Sequence, residues 1–172
     1  MLNNEELLIK IKKIKLLTMD VDGVLTDGRV FFDLKGGELK AFCFQDIMGI
    51  SRLKKKGISV ALISGEDNPI IDNFAKKMKI DSVYKHCKEK DRALLEICDH
   101  YEIELSNVAY MGDDINDIPA LKIAGLAIGV PNGWDGISNF VHYYTKKSGG
   151  DGAVREICEL IISNKENNEK FY

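Results

Sequence analysis

The stretch Asp20–Gly28 reads "DVDGVLTDG" and directly follows the apolar run "IKLLTM". The apolar run predicts a buried strand, and the aspartates and glycines after it are also typical of an ordinary solvated turn. A turn alone leaves unexplained why Asp20 and Asp22 stand two residues apart at the carboxyl end of a strand. Such carboxylates can converge on one point beyond a sheet, where like charges need a cation between them. The stretch therefore predicts a ligand crevice at the carboxyl edge of a parallel sheet.

The composition is typical of a soluble globular protein. The chain has 172 residues, of which 45% are hydrophobic and 30% charged, and its formal net charge is −3. We expect a single domain over residues 1–172, built around its own core. Lysine and arginine form no long basic block, so nucleic acid is not an expected partner.

Several features of the sequence indicate where the chain works. No apolar run approaches the roughly 18 residues of a membrane-spanning helix, and the amino end is acidic and amphipathic where a secretory signal would be apolar. We therefore expect no membrane partner. The four cysteines are widely spaced and include no Cys-x-x-Cys pair, which favours free thiols over a zinc site. These features predict a cytoplasmic protein.

The rest of the sequence alternates strands and helices. "RVFFD" and "ELKAFCF" flank the turn "LKGG" and predict a β-hairpin flap at about 29–44. The periodicity predicts helices at 4–13, 46–56, 68–78, 88–101, 115–124, 134–140 and 152–165, strands at 58–64, 82–86, 107–113, 126–130 and 142–146, and a frayed tail at 166–172. This order predicts an α/β fold of the Rossmann type, with a mainly parallel sheet and helices on both faces.

The predicted strand ends carry the residues that a metal and a phosphate need. One strand ends in "GDDINDIP", which contains Asp113, Asp114 and Asp117. With Asp20 and Asp22 at the same edge, these carboxylates would repel one another unless a cation lay among them. An all-oxygen ligand set indicates Mg²⁺ and not zinc.

A phosphate would find donors at the next strand end. Ser64 offers a hydroxyl and Gly65 a backbone N–H at the start of a helix, although Ser64 alone could be a simple helix cap. A lysine from the following loop could hold a second oxygen, and Lys85, Lys88 and Lys90 are the candidates.

The spacing of Asp20 and Asp22 then predicts their roles in catalysis. Asp20 is placed to attack phosphorus and form an aspartyl-phosphate. Asp22, two residues further on, could protonate the leaving oxygen and later activate water.

Four segments together resemble the haloacid dehalogenase superfamily of phosphatases: "DVDGVLTDG", "LISG", Lys90 in "KEKD" and "GDDINDIP", in the family's order and spacing. The hairpin in place of a cap domain and "GGDGAVREICELI" near the end further resemble the capless 3-deoxy-D-manno-octulosonate 8-phosphate phosphatases. The resemblance implies Asp20 as nucleophile, Asp22 as acid/base, Ser64 and Lys90 as phosphate holders and Asp113 as metal ligand.

The same resemblance implies the cofactor and the assembly. Mg²⁺ would be held by Asp20, Asp113 and the backbone carbonyl of Asp22, with Asp114 or Asp117 in support or acting through water. Members of this family are homotetramers in which the hairpins meet and a neighbour covers the active site. The segment 149–172 and Arg155 within it would serve the substrate or the subunit contact, although Arg155 could equally make an ordinary i,i+4 pair.

Two positions depart from the octulosonate pattern. "QDIMGI" and Glu66 stand where the octulosonate enzymes usually carry a positive charge. An acidic residue after "LISG" looks more like relatives that act on nine-carbon sugar acids, and Glu66 is a predicted substrate-binding residue. The resemblance implies an enzyme that removes phosphate from octulosonate 8-phosphate, in a pathway feeding lipopolysaccharide. A nonulosonate 9-phosphate is the alternative substrate. A non-catalytic oligomerisation or regulatory module is the alternative from another class, and it would predict a decayed site.

Overall fold

The computed structural model describes residues 2–169. Its centre is a parallel sheet of six strands in the spatial order β5-β4-β1-β6-β7-β8, and a separate hairpin pairs β2 with β3. In chain order the strands are β1 Leu16–Met19, β2 Phe31–Phe32, β3 Glu38–Leu39, β4 Ser59–Ile63, β5 Ser82–Tyr84, β6 Val108–Gly112, β7 Leu126–Gly129 and β8 Tyr143–Tyr144. The predicted fold class is confirmed.

Helices cover both faces of this sheet. They are α1 Asn4–Lys13, α2 Phe44–Lys55, α3 Pro69–Met78, α4 Lys90–Tyr101, α5 Ile118–Ile123 and α6 Ala153–Glu169. The start of α1 is set by a capping box, in which the Asn3 side chain accepts from the N–H of Glu6 and the Glu6 side chain accepts from the N–H of Asn3. Helix α3 begins at Asn68 in a similar way, with Pro69 in the first turn.

Alternate residues of the strands build two cores. Leu17 and Met19 of β1 pack on the side of α1, α2, α3 and α6, whereas Leu16 packs with Tyr110 of β6 on the side of α4 and α5. Because successive side chains of a strand point to opposite faces, the continuous apolar runs of the sequence fill both cores. Within residues 2–169, every helix is too short or too polar to span a bilayer.

Four local predictions differ from the structure. The hairpin strands have only two residues each, and α2 already begins at Phe44, inside the predicted flap. Residues 135–140 form a 3₁₀ helix where an α-helix was predicted, because Gly136 and its polar neighbours are weak helix formers in a six-residue segment. Helix α6 continues to Glu169, four residues into the predicted tail, and the rest of that tail lies outside the described residues.

Candidate active site

Asp20 stands at the carboxyl end of the central strand. Strand β1 is flanked by β4 and β6, so the residue after it opens into the crevice where parallel sheets bind ligands. The N–H of Asp20 donates to the carbonyl of Met111 at 3.0 Å, and the N–H of Val21 donates to Oδ1 of Asp20 at 2.7 Å. These contacts hold both the backbone and the carboxylate of Asp20 at the floor of the crevice.

The loop after Asp20 closes around Thr26. The buried hydroxyl oxygen of Thr26 accepts from the N–H groups of Gly23 and Gly28, each at 3.3 Å, and lies 3.5 Å from Oδ1 of Asp22. Gly23 has φ +86°, and a Cβ atom there would lie 2.0 Å from Oδ2 of Asp113. Glycine at 23 is thus required by conformation and by the close approach of Asp113.

Lys90 is completely buried beneath this loop. Its ammonium nitrogen lies 2.7 Å from Oδ2 of Asp20 and 2.7 Å from Oδ1 of Asp117. Burial by itself lowers the pKa of a lysine, but the two carboxylates outweigh it and raise the pKa of Lys90 above its ordinary value. Lys90 therefore stays a cation between two acids.

Asp117 accepts four hydrogen bonds from the part of the chain that the structure describes. Besides Lys90, the hydroxyl of Tyr110 donates to its Oδ1 at 2.7 Å, and the N–H groups of Asp113 and Asp114 donate to its Oδ2 at 2.9 and 3.2 Å. Asp117 is fully buried. It therefore supports the Asp113 loop, which is one of the two roles that the sequence left open.

One carboxylate oxygen from each of Asp20, Asp113 and Asp117 lies within 4.8 Å of the other two. Burial first, and then the neighbouring carboxylates, raise the pKa of Asp20 to about 7 and that of Asp113 to about 8. Among the described residues, no group donates to the buried Oδ1 of Asp113. A hard cation bound by Asp20 and Asp113 would ligate that oxygen and favour both ionised forms, so the residues present fit Mg²⁺.

Ser64 forms the opposite wall of the crevice, at the end of β4. Its side chain is buried, and its hydroxyl oxygen accepts from the N–H of Glu66 at 3.1 Å. A cavity of about 260 Å³ lies between this wall and the Asp20 loop. Its lining consists of Asp20, Asp22, Gly23, Gly28, Ser64, Gly65, Glu66, Asp113, Asp114 and Asn116.

Three basic residues weighed in the sequence analysis lie elsewhere. Lys85 pairs at the surface with Asp67 and Asp72, and Lys88 lines a separate groove. Arg155 lies on α6, where its Nε is 2.9 Å from Oε1 of Glu159. This is the i,i+4 pair that the sequence analysis kept as the alternative, and Arg155 is absent from the lining of the cavity.

Two residues that the sequence analysis missed belong to this site. Tyr110 reaches Asp117 from within β6, and Lys40 of the hairpin places its Nζ 2.8 Å from Oδ2 of Asp22. Tyr110 was hidden in an apolar strand, where its hydroxyl carried no local signal. For Lys40 the local pattern pointed the other way, since the alternation of polar and apolar residues in "ELKA" would place the lysine on the solvent face.

Comparison with known proteins identifies the family. A model of haloacid dehalogenase-like hydrolases matches residues 76–157. The 3-deoxy-D-manno-octulosonate 8-phosphate phosphatase KdsC of Escherichia coli is 34% identical over 157 residues, which are 91% of this chain and 84% of the relative. This chain belongs to the KdsC family of phosphatases.

Solved structures of KdsC phosphatases share the fold along nearly the whole chain. The Moraxella catarrhalis enzyme, crystallised with magnesium, phosphate and KDO, matches with a TM-score of 0.93 and 41% identity over 98% of this chain and 97% of its own. The cobalt-bound Haemophilus influenzae enzyme gives a TM-score of 0.88 and 32% identity over 94% and 95% of the two chains. The predicted family and its phosphatase class are confirmed.

Proposed function

We propose that this chain is an Mg²⁺-dependent phosphomonoesterase that hydrolyses 3-deoxy-D-manno-octulosonate 8-phosphate to the free sugar acid and phosphate. One observation carries the proposal. The Moraxella catarrhalis phosphatase that matches at 41% identity is a complex with magnesium, phosphate and KDO, and in this chain Asp20 and Asp113 converge beside Lys90 at one edge of the sheet.

The reaction runs through Asp20 in two steps. Its carboxylate attacks phosphorus, the bond between phosphorus and the sugar oxygen breaks, and Asp22 gives that oxygen a proton. Water then attacks the phosphorus of the aspartyl-phosphate while Asp22 takes its proton, and phosphate leaves as the Asp20 carboxylate is restored. Mg²⁺ supplies positive charge that neutralises phosphate oxygens in both steps.

The residues around Asp20 are proposed to bind Mg²⁺ and the phosphate group of the substrate. Asp20, Asp113 and the carbonyl of Asp22 are the proposed Mg²⁺ ligands. Ser64 and the N–H of Gly65 are the proposed phosphate donors, because both line the cavity opposite the Asp20 loop.

Lys90 is proposed to orient the Asp20 carboxylate for in-line attack on phosphorus. It is also proposed to contact the phosphate group after that group has been transferred to Asp20. Glu66, in the same lining, is proposed to contact the sugar. Arg155 is absent from that lining, and its proposed role is at a contact between subunits.

The substrates of the relatives favour one of the two candidate sugar acids. Octulosonate 8-phosphate and a nonulosonate 9-phosphate share the 2-keto-3-deoxy acid end, so phosphate chemistry alone does not separate them. Relatives from Escherichia coli and Yersinia pestis at 34–35% identity are octulosonate 8-phosphate phosphatases, which favours the eight-carbon substrate. A non-catalytic module is disfavoured, because Asp20, Asp22, Ser64, Lys90 and Asp113 are all present and lie together.

Phosphate release tests this function directly. Octulosonate 8-phosphate, a nonulosonate 9-phosphate and glucose 6-phosphate are compared at equal concentration, with Mg²⁺ and with EDTA. We expect fast release from the octulosonate only, lost in EDTA and in Asp20→Asn, which keeps the side-chain volume but removes the nucleophile. Faster release from the nonulosonate would overturn the proposed substrate, and full activity of Asp20→Asn would overturn the mechanism.

A homotetrameric assembly in the cytoplasm is part of the proposal. The hairpin exposes apolar side chains, with Phe32 68% and Leu39 59% accessible, and exposed apolar surface of this kind is typical of a subunit contact. All four cysteines are free thiols, as expected in a reducing compartment. Light scattering should give the tetramer mass for the wild type and a smaller species for Phe32→Ser, and a monomeric wild type would contradict the assembly.

A further inference from the structure

The segment Glu38–Phe42 lies along the body of the protein with alternate side chains turned inward. Glu38, Lys40 and Phe42 contact the body, and of these Lys40 and Phe42 are partly buried, whereas Glu38 is exposed like Leu39 and Ala41. This is the period of an extended chain with one face covered. We call this segment the strap.

The two outer contacts of the strap anchor it to α3. The side-chain amide of Asn68, the residue that caps α3, donates to Oε2 of Glu38 at 2.5 Å. The ring of Phe42 stacks on Phe74 of α3, with the centroids 4.4 Å apart and the planes at 16°. The strap is therefore tied on either side of Lys40.

Lys40 makes the middle contact of the strap, and its ammonium group contacts Asp22, the proposed acid/base residue. Its side chain is only 1% exposed, and its Nζ lies 2.8 Å from Oδ2 of Asp22. A lysine that is withdrawn from water to this degree needs a carboxylate partner. The other oxygen of Asp22, Oδ1, lies 3.5 Å from the hydroxyl of Thr26.

We propose that Lys40 is a positioning residue that aims the carboxyl group of Asp22 at the leaving oxygen, an inference that rests on the proposed function. Lys40 donates to Oδ2, which remains a hydrogen-bond acceptor in the carboxylate and in the carboxylic acid alike. Oδ1 is then the oxygen that carries the proton to the sugar oxygen and later takes one from water. Because Lys40 belongs to the strap, Asp22 keeps this orientation only while the strap is packed against the body of the protein.

A comparison of two leaving groups tests this role. Removal of a sugar alkoxide needs the proton of Asp22, whereas p-nitrophenolate leaves as a stable anion without it. The ratio kcat/KM reports only the steps up to the transfer of phosphate to Asp20. The later step, in which Asp22 acts as a base toward water, therefore does not affect the measured kcat/KM. The variants are Lys40→Met, Lys40→Arg, Asp22→Asn and, as a matched control on the same hairpin, the exposed Lys35→Met.

We expect Lys40→Met to lose roughly 10- to 100-fold in kcat/KM on octulosonate 8-phosphate, part of what general acid catalysis contributes. On p-nitrophenyl phosphate it should stay within about 3-fold of the wild type, Lys40→Arg should recover part of the loss, and Lys35→Met should be unchanged. In the Asp22→Asn background, Lys40→Met should add almost nothing, because the two residues act as a unit. Amide hydrogen exchange in the strap should be faster in Lys40→Met than in Lys35→Met.

Three outcomes would overturn the inference. Equal losses on both phosphates would make Lys40 a phosphate ligand, unchanged kinetics would leave it no role, and an undiminished loss in the Asp22→Asn background would separate it from Asp22. Glucose 6-phosphate, a third substrate that also releases a sugar alkoxide, distinguishes this inference from the proposed function. If the wild type leaves octulosonate 8-phosphate intact while Lys40→Met selectively loses glucose 6-phosphate hydrolysis, the substrate is wrong and the role of Lys40 stands.

Discussion

The Nζ atom of Lys90 lies 2.7 Å from Oδ2 of Asp20, and both side chains are buried at the end of the central strand. The same nitrogen contacts Asp117 at the same distance. A buried cation with two acids satisfies charges that would otherwise be costly away from water. The lysine thereby joins the strand that carries Asp20 to the loop that carries Asp113.

Replacing Lys90 by methionine should remove activity and much of the stability. The substitution leaves Asp20 and Asp117 buried without their cation, which costs about 3–5 kcal/mol in the free energy of unfolding. We expect kcat to fall roughly 100-fold or more, as for the loss of a group aimed at transition-state charge. Urea unfolding and phosphate release measure the two effects. Lys88→Met is the control, since Lys88 is a surface residue two positions earlier, and near-native kinetics of Lys90→Met would remove Lys90 from the site.

The substitution Gly23→Ala should lower the affinity for Mg²⁺. Its Cβ would lie 2.0 Å from Oδ2 of Asp113, and the residue has φ +86°. Gly36→Ala is a matched control, because Gly36 has φ +81° and no neighbouring atom within 4 Å, so that it suffers the backbone strain alone. We expect both variants to lose about 1 kcal/mol of stability from this strain, and only Gly23→Ala to bind Mg²⁺ more weakly by calorimetry. Equal Mg²⁺ affinities in the two variants would show that Asp113 tolerates the contact.

The stability of the metal-free protein should fall as the pH rises from about 4 to about 8. The pKa values of Asp20 and Asp113 are raised from 3.8 to about 7 and about 8, so in this window the folded chain holds protons that the unfolded chain has released. The free energy of unfolding must then decrease with pH. Mg²⁺ binds the ionised carboxylates and should therefore raise Tm more at pH 8 than at pH 6.

Thermal unfolding in EDTA and in Mg²⁺ across this pH range measures both effects. Asp113→Asn is the control, since it has no proton to exchange at this position and should show a flatter dependence on pH in EDTA. A wild-type Tm in EDTA that rises through this window, or an equal effect of Mg²⁺ at pH 6 and pH 8, would contradict the assignment of these carboxylates.

Asp46 should matter for stability more than for catalysis. It lies on α2, shortly after the strap, and its buried carboxylate accepts from the N–H groups of Gly152 at 3.3 Å and Arg155 at 2.7 Å. Burial raises its pKa above the ordinary value. Asp46→Ala should lose about 1–2 kcal/mol, as for other residues that cap a helix start.

The test for Asp46 compares urea unfolding and kinetics in the same variants. KM for the sugar phosphate should stay near the wild-type value in Asp46→Ala, and the exposed Asp99→Ala should change neither quantity. A large rise in KM with intact stability would instead indicate contact with substrate.

The architecture was predictable because its signals are local. Apolar runs of strand length between amphipathic helices predict a parallel sheet, and Pro69 and Asn68 mark the start of α3. The predicted hairpin is longer than the observed one, because "ELKAFCF" has the composition of a strand although only Glu38 and Leu39 pair with β2. In the structure, Lys40 and Phe42 contact the body beyond the last hairpin pair.

The sequence by itself determined where the crevice lies and which acids surround it, because residues that follow parallel strands must meet at one edge of the sheet. Only the tertiary structure decided how their charges are paired. Lys40 reaches Asp22 across 18 residues, and Lys90 reaches Asp117 across 27. Which charges face one another, and how strongly burial acts on them, depends on packing between distant segments, and no local pattern encodes it.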